Sequence, residues 1–268
     1  MRSLHLVQPN SKLVLTQLPT RGGEAAGMDR DVAEKEFKDK RKELRELQYK
    51  LYAEDKRKIL IVLQALDAGG KDGTIRNVFQ GVNPQGVRVA SFKAPTKLEL
   101  AHDYLWRIHQ QVPQKGNIGV FNRSHYEDVL IVRVQDIVPE SVWRPRYEHI
   151  NQFEKLLADT GTTILKFYLH ISKDEQKARL QDRLDRPEKN WKFEPGDLVQ
   201  REKWDEYQVA FQDVFEFTST EYAPWYVVPA DQKWYRNWAI MNVLVSTLKE
   251  MNPQFPKASV DVTQFKIE

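Results

Sequence analysis

The chain has no cysteine. Disulfides, thiol catalysis and cysteine-ligated metals are therefore excluded, and a cytoplasmic location is expected without being required. No run of eighteen apolar residues occurs, so no transmembrane helix is expected. The N-terminus lacks a basic segment followed by an apolar stretch, so no secretory signal is expected either. There is no internal repeat, no low-complexity tract and no histidine cluster with metal-ligand spacing. Net charge is also small: +3 over 268 residues, with a pI near 8.8. That balance permits a polyanionic partner without demanding one, because distribution matters more than the sum.

What is present is a chain long enough for one large α/β domain, with 41% hydrophobic residues. Residues 1–28 contain Pro9, Pro19 and Gly22-Gly23 and are expected to form an extended arm. A charged helix follows from Asp29 to Asp55, with Phe37, Leu44, Leu47 and Leu51 on one face. Strands are expected at 58–64, 86–92, 117–121, 163–170 and 225–229. Helices are expected at roughly 72–80, 97–112, 124–134, 141–159, 173–185, 198–217 and 233–250. The alternation, with strands that read as near-continuous apolar runs, argues for a parallel sheet covered by helices on both faces. The catalytic domain is expected to span 29–252, with residues 253–268 as a surface tail.

Ligands of such sheets bind beyond the carboxyl ends of the strands. After the first strand stands Asp67-Ala68-Gly69-Gly70-Lys71-Asp72-Gly73-Thr74, a glycine-rich turn with a lysine before a helical pattern. Glycines let amide N–H groups wrap phosphate oxygens closely, and the lysine adds charge. The match to G-x-x-x-x-G-K-[ST] is imperfect: Ala65 fills the first glycine position and Asp72 the hydroxyl position, although Thr74 is near. A tight strand-to-helix turn would also need glycine, but it has no use for an acid and a lysine together, as a magnesium–phosphate site does.

After the third strand stands Asn122-Arg123-Ser124-His125-Tyr126-Glu127-Asp128. Ser124-x-x-Glu127 fits a capping box, as do Thr96-x-x-Glu99 and Ser172-x-x-Glu175. Arg123, between an apolar strand and a helix start, is placed to bind an oxyanion bidentately. For His125 a structural hydrogen bond is favoured over catalysis. Lys93, after the second strand, sits at the ligand edge, with a solvated surface lysine as the alternative. Between Lys177 and Phe193 cations are dense. Arg179 and Arg183 share a helical face, the helix breaks at Pro187, and Lys189 and Lys192 flank Trp191. This is either a solvated face or a mobile lid closing on transferring phosphates, expected at about 179–197.

Together with Tyr222-Ala-Pro-Trp-Tyr226 and Trp234-Tyr-Arg-Asn-Trp238, these segments resemble polyphosphate kinase family 2 over nearly the whole chain. The resemblance implies a three-layer α/β/α phosphate-loop kinase fold with a helical lid. It implies transfer of a terminal phosphoryl group between inorganic polyphosphate and AMP or ADP, giving ADP or ATP, with Mg²⁺. It assigns catalysis to Asp67, Lys71, Arg123, Arg179 and Arg183. Phosphate and nucleotide binding fall to Ala68, Gly69, Gly70, Asp72, Gly73, Thr74, Arg76, Asn122, Glu127 and Lys189. Lys93, Arg133 and Lys192 would form a polyphosphate track. Metal ligands would come from Asp67, Asn122, Glu127 and Asp128. Asn122 stands where many members carry aspartate, which leaves open the carboxylate that completes the metal site, and the local form looks like the subgroup accepting both AMP and ADP. Further copies of the chain are expected as partners; nucleic acid and membrane are not. The rival readings are an ATP-dependent nucleoside monophosphate kinase, which should carry a regular loop, and a nucleic-acid-binding module, which leaves Asp67 and the Glu127-Asp128 pair without a purpose.

Overall fold

A computed structural model describes residues 5–267. Five strands form one parallel sheet: β1 Lys58–Gln64, β2 Val87–Ser91, β3 Ile118–Asn122, β4 Thr162–His170 and β5 Trp225–Pro229. Their order is β2-β3-β1-β4-β5. The expected strands match these to within about a residue, because an apolar run bounded by polar or turn residues is an unambiguous signal for a buried parallel strand. The exception in burial is β2. It forms an edge, exposes Val89, and ties Arg88 to Gln111.

One face of the sheet carries the helices Arg30–Glu54, Lys71–Val78 and Lys233–Met251, which pack on each other. Asp29 caps the first through the amides of Asp31 and Val32, and its expected face is buried at Leu44 and Leu51 and partly buried at Phe37 and Leu47. The other face carries Arg146–Asp159 and Trp204–Thr218. The fold is the expected three-layer α/β/α arrangement.

Four expected helices are interrupted. The segment 97–112 divides into Lys97–Leu100 and Trp106–His109, because Asp103 turns its carboxylate onto the amide of Leu105. Pro145 separates Glu140–Trp143 from Arg146–Asp159. Residues 124–134 form a 3-10 turn, His125–Asp128, then Ile131–Val134. Residues 198–217 fall into Gly196–Glu202 and Trp204–Thr218.

The arm is less detached than its composition implies. Leu6 bridges Tyr226 antiparallel, the Val7 amide donates to the Trp225 carbonyl, and Val7 and Leu15 are buried. It thereby covers the β5 edge, which would otherwise present unpaired backbone groups. Residues 1–4 of the expected arm lie outside the described residues. In the tail, residues 254–267 are exposed.

Candidate active site

The site lies where β1 and β3 end side by side, with Leu63 opposite Asn122. Beyond β1 the chain turns through Ala68 at φ 59° and Gly70 at φ 102°, both left-handed, and then starts the helix at Lys71. Glycine at 69 is required by Ala65: a Cβ there would meet the Ala65 Cβ at 2.5 Å and the Leu66 carbonyl at 2.8 Å. The Ala65 carbonyl in turn accepts from Lys71 Nζ at 2.8 Å. The irregular alanine thus anchors the loop's lysine. Burial, then the neighbouring Arg123, pushes the Lys71 ammonium down to about 8. Thr74 Oγ1 donates to the Gly70 carbonyl at 3.1 Å, so its hydroxyl stabilises the first helical turn.

Arg123 continues the β3–β1 pairing by donating its amide to the Leu63 carbonyl, then turns left-handed at φ 61°. A non-glycine residue held there is strained, and such strain clusters at functional positions. The turn aims Nη2 at Asp67 Oδ1, 2.7 Å away. Asn122 Nδ2 donates to Asp72 Oδ1 at 2.7 Å. Glu127, half-buried, lies close enough to Lys71 and Arg123 to favour both charges. Lysine, arginine, asparagine and three carboxylates therefore converge on one loop mouth, from positions up to 60 residues apart.

A buried network holds the Arg123 turn in place. Gln64 Nε2 and the Tyr126 amide both donate to Ser124 Oγ, at 3.1 and 3.2 Å. Ser124 is thus a cap, but for Tyr126; Glu127 does not close the expected box and faces the site instead. Behind it, Glu154 accepts from Tyr126 Oη at 2.9 Å and from Lys166 Nζ at 2.5 Å, with His125 Nε2 3.2 Å away. Lys166 Nζ also reaches Tyr126 Oη and the Thr218 carbonyl. His125 has the structural role favoured for it. Ser172 likewise caps Glu175, but the Glu175 carboxylate holds Arg179, so only Thr96 and Glu99 form a complete box.

Other expected site residues are placed differently. Arg179 braces the loop from behind, donating to the carbonyls of Ala68, Gly69, Ala230 and Asp231 and to Glu175. Arg183 Nη1 bonds the Lys192 carbonyl at 3.0 Å and Asp197 Oδ2 at 2.9 Å, which ties together the segment 183–197 expected to form a lid. Lys189 pairs with Asp182 at 2.5 Å. Lys192 lies over Trp191, which is 78% exposed. Arg133 is committed to Asp213 at 2.6 Å and to the face of Trp143. Lys93 and Arg76 are exposed.

The expected metal set does not assemble as a unit. Asp128 turns away to Arg146, its carboxyl raised to about 6 by burial, and Asn122 turns its amide to Asp72. Among the described residues no group of three or more histidines and carboxylates is placed to hold a metal alone. Mg²⁺ is commonly held by one or two carboxylates together with substrate phosphates, and Asp67 with Glu127 fits that donor pattern.

Arg236 carries no role in the sequence reading although its motif is quoted there. It is 2% exposed and lies against the loop at Gly70 and Gly73. Its signal was an arginine beside Asn237 in a helix run whose other residues, Tyr235 and Trp238 to Met241, are apolar or aromatic.

This arrangement has close parallels among known proteins. Residues 27–256 match the family described as Polyphosphate kinase 2 (PPK2). An AMP/ADP-polyphosphate phosphotransferase of Meiothermus ruber is 62% identical over 225 residues, 84% of each chain. An ADP-polyphosphate phosphotransferase of Rhodopseudomonas palustris is 46% identical over 81% of this chain and 79% of that one. The crystal structure of polyphosphate kinase 2 from Arthrobacter aurescens TC1 superposes with a TM-score of 0.91 at 42% identity, covering 97% of this chain and 96% of that one. With the phosphate loop, the parallel sheet that carries it and the match along most of its length, this chain belongs to the polyphosphate kinase 2 family.

Proposed function

We propose that this enzyme transfers the terminal phosphoryl group of inorganic polyphosphate to AMP and to ADP. The observation that carries this reading is the Asp67–Arg123 pair beside half-buried Lys71 at the loop mouth. Donor and acceptor are both polyanions, so the site must offset repulsion before it can align them. Lys71, the loop amides and Arg123 would hold phosphoryl oxygens. Asp67 and Glu127 would hold Mg²⁺, which supplies charge neutralisation and orientation when bound. The terminal anhydride P–O bond breaks, a P–O bond to a nucleotide phosphate oxygen forms, and the shortened polyphosphate leaves with the electron pair. The attacking oxygen is already ionised, so no general base is required.

Acceptance of both nucleotides is supported by Asn122. It leaves the β3 end uncharged and spends its amide on Asp72, so an acceptor phosphate meets less repulsion there. The absence of cysteine suits the cytoplasm. No helix among the described residues is long and apolar enough to cross a membrane.

The test is donor choice. Purified protein with Mg²⁺ and AMP is given either polyphosphate or ATP as sole donor, and nucleotides are separated by chromatography. Polyphosphate alone should yield ADP. Turnover with ATP and none with polyphosphate would assign an ATP-dependent nucleoside monophosphate kinase instead.

A further inference from the structure

Two guanidinium groups flank Gly70, and they are used differently. A Cβ at Gly70 would run into Arg236 Nη1 and would sit 3.3 Å from Arg179 Nη1. A Cβ at Gly73 would sit 3.7 Å from Arg236 Nη2. Arg179 is fully engaged by loop carbonyls and by Glu175. Arg236 is not. Its Nε and Nη2 both donate to one atom, Asn237 Oδ1, at 3.1 and 2.9 Å. Among the described residues no carboxylate pairs with it. Burial, and then the like charge of Arg179, lower its pKa from the usual value to about 9. Exposed Lys233, one turn earlier on the same helix, feels the same two arginines.

A buried cation without a counter-charge destabilises the protein that carries it, and a hydrophobic side chain of similar size would fill the space better. What it lacks is an anion, and the nearest place for one is the loop whose glycines it touches. We propose that Arg236 is a positioning residue for the phosphate donor: its buried positive charge, set against the backbone of Gly70 and Gly73, tunes the loop's affinity for a polyanionic phosphate chain. The identity of that chain as polyphosphate rests on the function proposed above. The protein gives up stability in the empty state and regains it when phosphate occupies the loop, by mass action. Gly70 is then constrained twice, by its left-handed backbone and by the guanidinium filling its side-chain space.

The experiment compares wild type, Arg236→Met and Arg236→Lys, without nucleotide. Calorimetry with Mg²⁺ measures the affinity for tripolyphosphate, and thermal melting measures the empty protein. Arg236→Met should melt at the same or a higher temperature than wild type, yet bind tripolyphosphate about tenfold or more weakly. Arg236→Lys should recover most of the affinity. In turnover, the KM for polyphosphate should rise in Arg236→Met while the KM for AMP holds. An Arg236→Met protein that fails to fold, or melts lower with unchanged affinity, makes the arginine a structural filler and overturns the proposal. So does failure of lysine to restore binding. A wild type that binds tripolyphosphate but moves no phosphoryl group to AMP contradicts the function alone, and the affinities still decide the role of Arg236.

Discussion

Replacing Asn122 by aspartate turns a hydrogen bond into a repulsion. The Asn122 amide nitrogen lies 2.7 Å from Asp72 Oδ1. Asn122→Asp puts a second carboxylate oxygen there, with charge centres about 4 Å apart. Two unit charges at that distance interact by about 1 kcal/mol in water and about 4 kcal/mol at a protein surface of effective dielectric ~20. Asp72 is exposed, so the low end of about 1–2 kcal/mol applies. The lost hydrogen bond adds about 1 kcal/mol. A loss of about 2–3 kcal/mol should lower Tm by roughly 4–12 °C for a chain of this size. A divalent cation between the carboxylates should remove most of the difference. The assay is thermal melting of both proteins in EDTA and in millimolar Mg²⁺, with AMP and ADP phosphorylation rates measured in parallel. The variant should melt lower in EDTA, recover in Mg²⁺ more than wild type does, and show an altered ratio of the two activities without losing both. Equal melting temperatures in EDTA would mean that positions 122 and 72 do not face each other, and the reasoning would fail.

Three further outcomes follow from named contacts. If the segment 183–197 acts as a lid, Arg183→Ala should lose kcat and become cleavable by protease between Arg186 and Asp197 while Tm moves little, because Arg183 ties that segment together through Asp197 and Lys192; lost activity with an unaltered cleavage pattern would instead put the side chain on substrate. Lys166→Met leaves Glu154 buried with its ion pair broken, and urea unfolding should register a loss of about 3–5 kcal/mol; a loss below about 1 kcal/mol would show that the pair is replaceable. His5, held down to about 4 by burial against Tyr235, is neutral in the fold. The unfolded chain takes up that proton first, so stability present above about pH 6.5 should fall as pH drops toward 4; His5→Gln should flatten Tm against pH across that window, and an unchanged slope would discount the residue.

The sheet was legible because β1, β3, β4 and β5 are apolar runs with polar or turn residues at their ends. The loop was legible because glycines, Asp67 and Lys71 stand together. Helix continuity was not. Asp103 and Pro145 each stop a helix at a point where apolar periodicity carries on. Pairings across the sheet were also hidden. Arg123 meets Asp67 from 56 residues away, and Asn122 meets Asp72 from 50. Local pattern supplied the residue types, and only the order of strands supplied the partners. Arg179 and Arg183 read as one shared face, whereas Arg179 is drawn to loop carbonyls and Arg183 to Asp197. Arg236 escaped notice because a lone arginine in a helix ordinarily faces water; here its helix is enclosed by the Arg30–Glu54 helix, β5 and the loop.

The central claim is that one site carries AMP through ADP to ATP at the expense of polyphosphate. The most direct measurement starts from AMP, Mg²⁺ and excess polyphosphate, with no other nucleotide, and follows products by chromatography over time. A parallel sample has polyphosphate removed once ADP has formed, and a second uses Lys71→Ala. ADP should rise and then fall as ATP appears. ATP formation should stop when polyphosphate is removed, and Lys71→Ala should be slower by about a hundredfold or more. Accumulation of ADP with no ATP while polyphosphate remains, or near-normal turnover by folded Lys71→Ala, would contradict the account.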